Sequence, residues 1–149
     1  MDELELEFEL DPVLVKDTYV LGDFPLCRLL LAKDANYPWF ILVPRRVGAT
    51  ELYHLSEKDQ FQLIRESSFL AENLADLFGA RKMNVATIGN MVSQLHMHHV
   101  VRYEKDAAWP KPIWGAVESV PYTDEALKAI KKKVKGLLDN TPDLVIAPE

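Results

Sequence analysis

Between Gln94 and Val100 the chain reads Gln-Leu-His-Met-His-His-Val, and this alternation constrains the fold more than any other stretch. Successive side chains along a strand point to opposite faces, so Gln94, His96 and His98 share one face while Leu95, Met97 and His99 share the other. Neighbours on one face stand roughly 7 Å apart. The spacing predicts a strand over 95–103 in a sheet with one apolar, buried face and one face lined by imidazoles. Imidazole titrates near neutral pH and serves as nucleophile, acid, base or metal ligand. Three readings of the pair follow: solvated polar positions, a zinc site, or catalysis on phosphorus. Zinc needs further ligands, and neither Cys27 nor the remaining histidine, His54, sits in a paired ligand motif. No metal site is expected.

The rest of the chain bounds what such a sheet belongs to. With 149 residues, 48% hydrophobic and 27% charged, the sequence has the profile of one soluble globular domain over 1–149. A net charge of −6 argues against binding long nucleic acid, which rests on counterion release by basic side chains. A small phosphate ligand needs only a local cluster of donors. One cysteine excludes an internal disulfide. The start, Met1-Asp2-Glu3-Leu4-Glu5-Leu6-Glu7, is acidic where a secretory signal is basic. No run approaches the roughly 20 apolar residues of a membrane span. A cytoplasmic location without a membrane partner is the expectation.

Residues 1–19 read as an acidic lead-in, within which Asp11-Pro12 opens a short helix to Lys16. Strands are predicted over 26–32 and 39–43, joined by an Asp-, Asn- and Pro-containing turn. The clearest element is a helix over 57–78. Ser56 and Asp59 have the spacing of a capping box, Leu63, Leu70, Leu74 and Leu77 form a stripe, and Gly79 suits the stop. A strand at 83–88 leads through a short connection, Ile88-Gly89-Asn90-Met91-Val92-Ser93, to the histidine strand. An aromatic loop with Trp109 and Trp114 follows, then a helix over 124–137 behind Thr123. Its Lys131, Lys132, Lys133 and Lys135 read as a solvated face. Without βαβ alternation, these elements predict an α+β fold with an antiparallel sheet, one long helix packed on it and a C-terminal helix.

Gly89-Asn90-Met91-Val92-Ser93-Gln94-Leu95-His96-Met97-His98-His99-Val100-Val101-Arg102 resembles the signature of the histidine triad (HIT) family of nucleotide hydrolases and transferases. That signature is Gly-Gln-Ser/Thr, a few residues, then His-x-His-x-His. Aligning Gly89, His96, His98 and Arg102 puts Gln94 at the first His, His96 at the central one and His98 at the third. A rival register starting at His96 makes Val100 the third and displaces both the glycine and the arginine. The stretches 39–45 and 52–56 also resemble the family's strand ending in Pro and basic residues and the approach to its long helix. The likeness covers about 26–103 and leaves the aromatic loop and last helix, 104–149, outside.

The resemblance implies a homodimer that binds a nucleoside phosphate, most often a purine, without a further cofactor. His96 would attack phosphorus, leaving a nucleotidyl-histidine that water releases, and His98 would bond the phosphoryl oxygens or share the proton. Backbone amides of Gly89, Asn90, Met91 and Val92 would stabilise developing charge. Asn84 falls near a family position facing the phosphates. Asp34 falls near one that meets the ribose, and suits an ordinary turn equally well. Three departures stand out. Gln94 cannot ionise and keeps only a positioning role, Asn90 is shorter than Gln, and Met91 replaces a hydroxyl that helps the leaving group. The alternative to an enzyme is therefore a nucleotide-binding or regulatory module with little turnover. His99 is expected in the core or a dimer contact, and Arg102 at phosphate or as an exposed strand-end charge. Trp109 and Trp114 are expected over the substrate or the dimer interface.

Overall fold

The computed structural model describes residues 7–148, so the acidic stretch 1–6 lies outside the described residues. Among those described, the elements are α1 (Pro12–Asp17), β1 (Thr18–Asp23), β2 (Cys27–Ala32), β3 (Trp39–Pro44), α2 (Glu57–Phe78), β4 (Lys82–Thr87), β5 (Met97–Arg102), α3 (Asp124–Asp139) and β6 (Val145–Ile146). The strands form one sheet of order β4-β5-β3-β2-β1-β6 in which each neighbouring pair is antiparallel. The α+β expectation holds. No helix among the described residues is long and apolar enough to cross a membrane.

Strand register sorts the side chains into two faces. Phe40 lies opposite His99 and Leu42 opposite Met97, and with Leu29 and Leu31 they form the face of the main core. They pack against Leu63, Leu70 and Leu74 of α2 and Val134 and Leu138 of α3. Ser56 caps α2 by accepting from the Asp59 N–H, and Gly79 ends it at φ 61°. The Asp59 carboxylate is held by Arg46, at 2.7 and 3.1 Å. Two buried polar ties also fasten α2 to the sheet. Glu66 accepts from the N–H groups of Leu26 and Cys27 (2.9 and 2.8 Å), and Ser67 Oγ meets His99 Nε2 at 2.7 Å. Burial, then the Glu66 charge, raises the Cys27 thiol well above its ordinary value.

The other face carries Trp39, Ile41, His98 and Val100, and it is covered rather than open. Phe8, Leu10 and Leu14 close over Leu30, Ile41 and Val92, while Ala108, Ile113 and Trp114 close over Tyr37, Trp39 and Val100. Arg102 holds the second cover. It is neither an exposed strand-end charge nor free to meet a phosphate, because its side chain is 1% exposed and paired with Asp106 at 2.8 and 3.1 Å. Its third contact is Asn84 Oδ1 at 2.7 Å. Asp106 in turn accepts from the N–H groups of Tyr103, Ala108 and Trp109. Burial pushes this carboxyl up, but Arg102 and those three N–H groups outweigh it and hold it at about 2.

Three elements depart from the sequence reading. β1 starts at the end of the stretch read as lead-in and runs on to Asp23, where no strand was expected, and β6 is a two-residue strand of exposed Val145 and Ile146 with no alternation to detect. β6 closes on Gly22, where a Cβ would sit 2.7 Å from the Val145 carbonyl oxygen. β5 begins at Met97, not residue 95, because the Leu95 N–H bonds Ala49 O at 2.9 Å outside the ladder. Gln94 and His96 therefore belong to the loop entering the strand.

Replacing Asp106 strands a buried guanidinium, so Asp106→Ala should lower stability by roughly 3–5 kcal/mol. Urea unfolding followed by tryptophan fluorescence measures this. An unchanged midpoint would show that the pair does not hold the aromatic loop.

Candidate active site

His96 immediately precedes β5 and His98 is its second residue. Their rings lie 4.8 Å apart, centroid to centroid, and are nearly perpendicular at 77°. Their hydrogen bonds determine which nitrogen carries a proton. His96 Nδ1 is 2.7 Å from the Gln94 carbonyl oxygen, which can only accept, so Nδ1 donates and Nε2 of the neutral ring keeps its lone pair. At His98 the sense is reversed. The Trp39 indole N–H, a donor only, lies 3.0 Å from His98 Nδ1, so the neutral ring carries its proton on Nε2. The two neighbouring rings thus offer a lone pair on one and an N–H on the other. His99 repeats the first pattern in the core: Nδ1 donates to Met97 O (3.0 Å) and Nε2 accepts from Ser67.

Burial keeps the His98 and His99 rings neutral. It lowers His98 to about 3, helped by repulsion from His96 and His99. It also lowers His99 to about 4 against the opposing bond to Met97 O. His98 is packed by aromatic rings on two sides, Trp39 at 5.6 Å and Trp114 at 5.1 Å.

His96 borders two clefts. One, of about 450 Å³, is mainly apolar and includes His98, Trp39, Trp114, Ile41, Met91 and Val92, with Asp34 and Lys33 also at its wall. The other, of about 300 Å³, is polar and is formed by Thr50, Glu51, Thr87, Gly89, Asn90 and Gln94. The first has the size and lining to enclose an aromatic base. His96 stands where the two clefts meet, and His98 lines the larger one.

The residues singled out from sequence divide accordingly. His96, His98, Met91, Val92 and Asp34 line the larger cleft, while Gly89, Asn90 and Gln94 line the smaller one. Val92 is buried and anchors their loop, and Met91 is 96% exposed. A Cβ at Gly89 would make only ordinary contact, 3.6 Å from Val92 O, so the chain's own backbone does not demand that glycine. Asn84 lines neither cleft. Its side-chain carbonyl oxygen accepts from Arg102 at 2.7 Å. Asp34 plays the turn role, its Oδ1 accepting from the Asn36 backbone and side chain and from Val120 N–H, while it also borders the cleft. Gln94 is not on the strand, and its side chain turns toward residues 9–11, with Oε1 accepting from Asp11 N–H and Nε2 donating to Glu9 O.

Sequence reasoning missed the part that Trp39 and α1 play in the site. Trp39 reads as one more apolar residue of a strand, yet an indole N–H entering a buried sheet needs an acceptor, and that need was the available signal. Val13, Leu14 and Asp17 reach the cleft only through the fold, and no local pattern announces them.

The chain matches the HIT domain family over residues 13–105. Among solved structures it is similar to a histidine triad protein from Marinobacter aquaeolei VT8, with 50% identity, a TM-score of 0.85, and 89% of this chain and 96% of that one covered. Another histidine triad protein, from Bradyrhizobium japonicum, shares 39% identity at a TM-score of 0.84, over 87% and 96% of the two chains. A third, from Sinorhizobium meliloti 1021, shares 35% identity at 0.85, over 89% and 98%. The comparison with curated proteins found no significant match.

His98 and His99 both titrate lower in the fold than their ordinary 6.5, so the unfolded chain binds more protons below that pH. Their contribution to stability is complete above pH 6.5 and is lost as pH falls toward 4. Between pH 7.5 and 5 the loss should be about 2 kcal/mol per ring. Urea titrations at the two pH values measure it, and equal stability would contradict the neutral assignment. Imidazole 15N spectra at pH 7 should show His98 protonated on Nε2, and Trp39→Phe should release that preference.

Proposed function

The chain belongs to the HIT domain family, whose members are generally nucleotide-binding hydrolases or transferases, and on that premise we propose that it cleaves a nucleoside phosphoanhydride, phosphoramidate or ester through a nucleotidyl-histidine on His96. The observation that carries this reading is the juxtaposition of two imidazoles, 4.8 Å apart, whose partners leave the lone pair on His96 Nε2 and the proton on His98 Nε2, with His96 at the junction of an apolar and a polar cleft. The His96 Nε2 lone pair forms a bond to phosphorus as the bond to the leaving group breaks, and the leaving group departs with that electron pair. Because Nδ1 donates to the Gln94 carbonyl, that bond strengthens as the ring gains positive charge. The His98 N–H donates to a non-bridging phosphoryl oxygen. Water then attacks the phosphorus, the bond to Nε2 breaks, and a nucleoside monophosphate leaves.

The base occupies the aromatic cleft beside Trp39 and Trp114, and we assign the second Asp34 oxygen to a ribose hydroxyl. Gln94 takes the first triad position. Gly89, Asn90, Met91 and Val92 contribute backbone N–H groups around the phosphate. With a thioether at Met91, the leaving group takes its proton from solvent, which favours substrates whose leaving group is already good.

Mass spectrometry after incubation with adenosine phosphoramidate or a diadenosine polyphosphate tests the nucleophile. His96→Ala should abolish both adduct and turnover while leaving nucleotide affinity within about tenfold, a change of about 1.4 kcal/mol. An adduct that survives His96→Ala and vanishes in His98→Ala would move the nucleophile to His98. Binding without adduct or product would favour the regulatory reading instead.

We also propose that the protein pairs as a homodimer. Leu63, Leu70, Leu74, Leu95 and Met97 are consumed by the chain's own core, so they do not supply the interface. Support comes instead from the outer face of α2, where Phe61 and Ile64 are 57% and 55% exposed, and from the sheet edge β4, where Val85 is 46% exposed. Residues three apart on a helix share a face, and an edge strand offers backbone groups to a twofold partner. Sedimentation should give a species near twice 17.0 kDa, and a Phe61→Glu, Ile64→Glu double variant should run as a monomer. A fully active wild-type species of 17.0 kDa would rule pairing out.

A further inference from the structure

We propose that Gln94 is a positioning residue that fastens the chain's own residues 9–11 beside His96, making α1 a wall of the nucleotide cleft. The inference rests on the nucleotide reading above and goes beyond it in giving the amide at this position a defined task.

The side-chain amide of Gln94 meets two backbone groups of one segment. Its Oε1 accepts from the Asp11 N–H at 2.9 Å and its Nε2 donates to the Glu9 carbonyl at 2.8 Å. A primary amide carries its acceptor and donor side by side, so it can engage the edge of an extended segment as a neighbouring strand would. An imidazole directs its two nitrogens away from each other and cannot match both groups. A carboxylate has no donor for Glu9.

Position is then relayed along the chain. Asp11 caps α1, its Oδ1 accepting from the Val13 N–H at 2.8 Å, and Pro12 occupies the first turn. Thr18 Oγ1 donates to Leu14 O at 2.6 Å at the other end. Between these ties, Val13, Leu14 and Asp17 line the cleft that holds His96 and His98. The backbone carbonyl of Gln94 separately holds His96 Nδ1. One residue thus orients the nucleophile with its main chain and seats the wall with its side chain. A side-chain substitution removes the second function and spares the first.

Two measurements on the full chain test this. The first is hydrogen exchange of the segment 7–17 without ligand. The second is affinity for AMP and GMP by calorimetry, paired with the single-turnover rate of the bound phosphoramidate. Gln94→Ala and Gln94→His should each speed exchange at least tenfold and weaken mononucleotide binding at least fivefold, with the loss falling more on affinity than on the single-turnover rate. The isosteric Gln94→Glu, which keeps the bond from Asp11 and loses the one to Glu9, should fall between wild type and Ala in both. Unchanged exchange overturns the latch. Faster exchange with unchanged affinity overturns the wall. A single-turnover rate lowered tenfold at unchanged affinity would make Gln94 part of the chemistry and overturn the positioning role. A wild-type protein that binds neither nucleotide overturns the nucleotide reading and the wall with it, while the exchange measurement still decides the latch.

Discussion

The buried pair of Arg102 and Asp106 is the interaction on which the site's enclosure depends. A strand that ends in an arginine ordinarily delivers that charge to solvent. Here the guanidinium stays inside because Asp106 returns to meet it with both oxygens and then gathers three backbone N–H groups of its own turn. The chain beyond the strand is folded back over the sheet, and Trp114 arrives against His98. Asn84, on the neighbouring strand, accepts from Nη1 of the same guanidinium. A buried ion pair contributes little net stability of its own, but losing one member is expensive, so such a pair specifies where a loop lies more than how tightly it is held.

The same logic recurs around the cleft. Segments distant in sequence are brought to one place, each by a polar side chain that meets backbone groups. Asp34 accepts from Val120 N–H, Gln94 holds residues 9–11, and Glu66 fixes the start of β2 from the opposite face. The apolar packing behind them is generic, whereas these bonds are directional and decide which surface faces His96. The imidazoles are treated likewise. Each of the three near β5 has its tautomer set by a partner that can only accept or only donate, so which nitrogen offers a lone pair is a property of the fold.

Much of the architecture was legible because local pattern and tertiary need agree. The helix Glu57–Phe78 follows from its cap, leucine stripe and terminal glycine, and β2, β3 and β4 follow from short apolar runs bounded by turns. β1 and β6 were not legible, since their pairing supplies the order that their sequences lack. At the site, His96 and His98 stood out by spacing, yet period-two reasoning carried Gln94 onto the strand, where the chain has already turned away. Arg102 shows the limit of reading charge from sequence, because its burial depends on a partner four residues on that must first be folded back. Trp39 shows the converse. Its indole was visible, but its acceptor lay 59 positions away.

Cys27 lies at the start of β2 with no exposed surface, under the Glu66 carboxylate that raises its thiol well above the ordinary value. Thiol oxidation, alkylation and disulfide exchange all proceed through an accessible thiolate, and this sulfur is neither accessible nor ionised. It is the chain's one cysteine. Glu66 was placed there to hold two backbone N–H groups. It has the further effect of leaving the folded protein without a redox-addressable sulfur at cysteine, so the thiol poise of its surroundings has no covalent route into the fold.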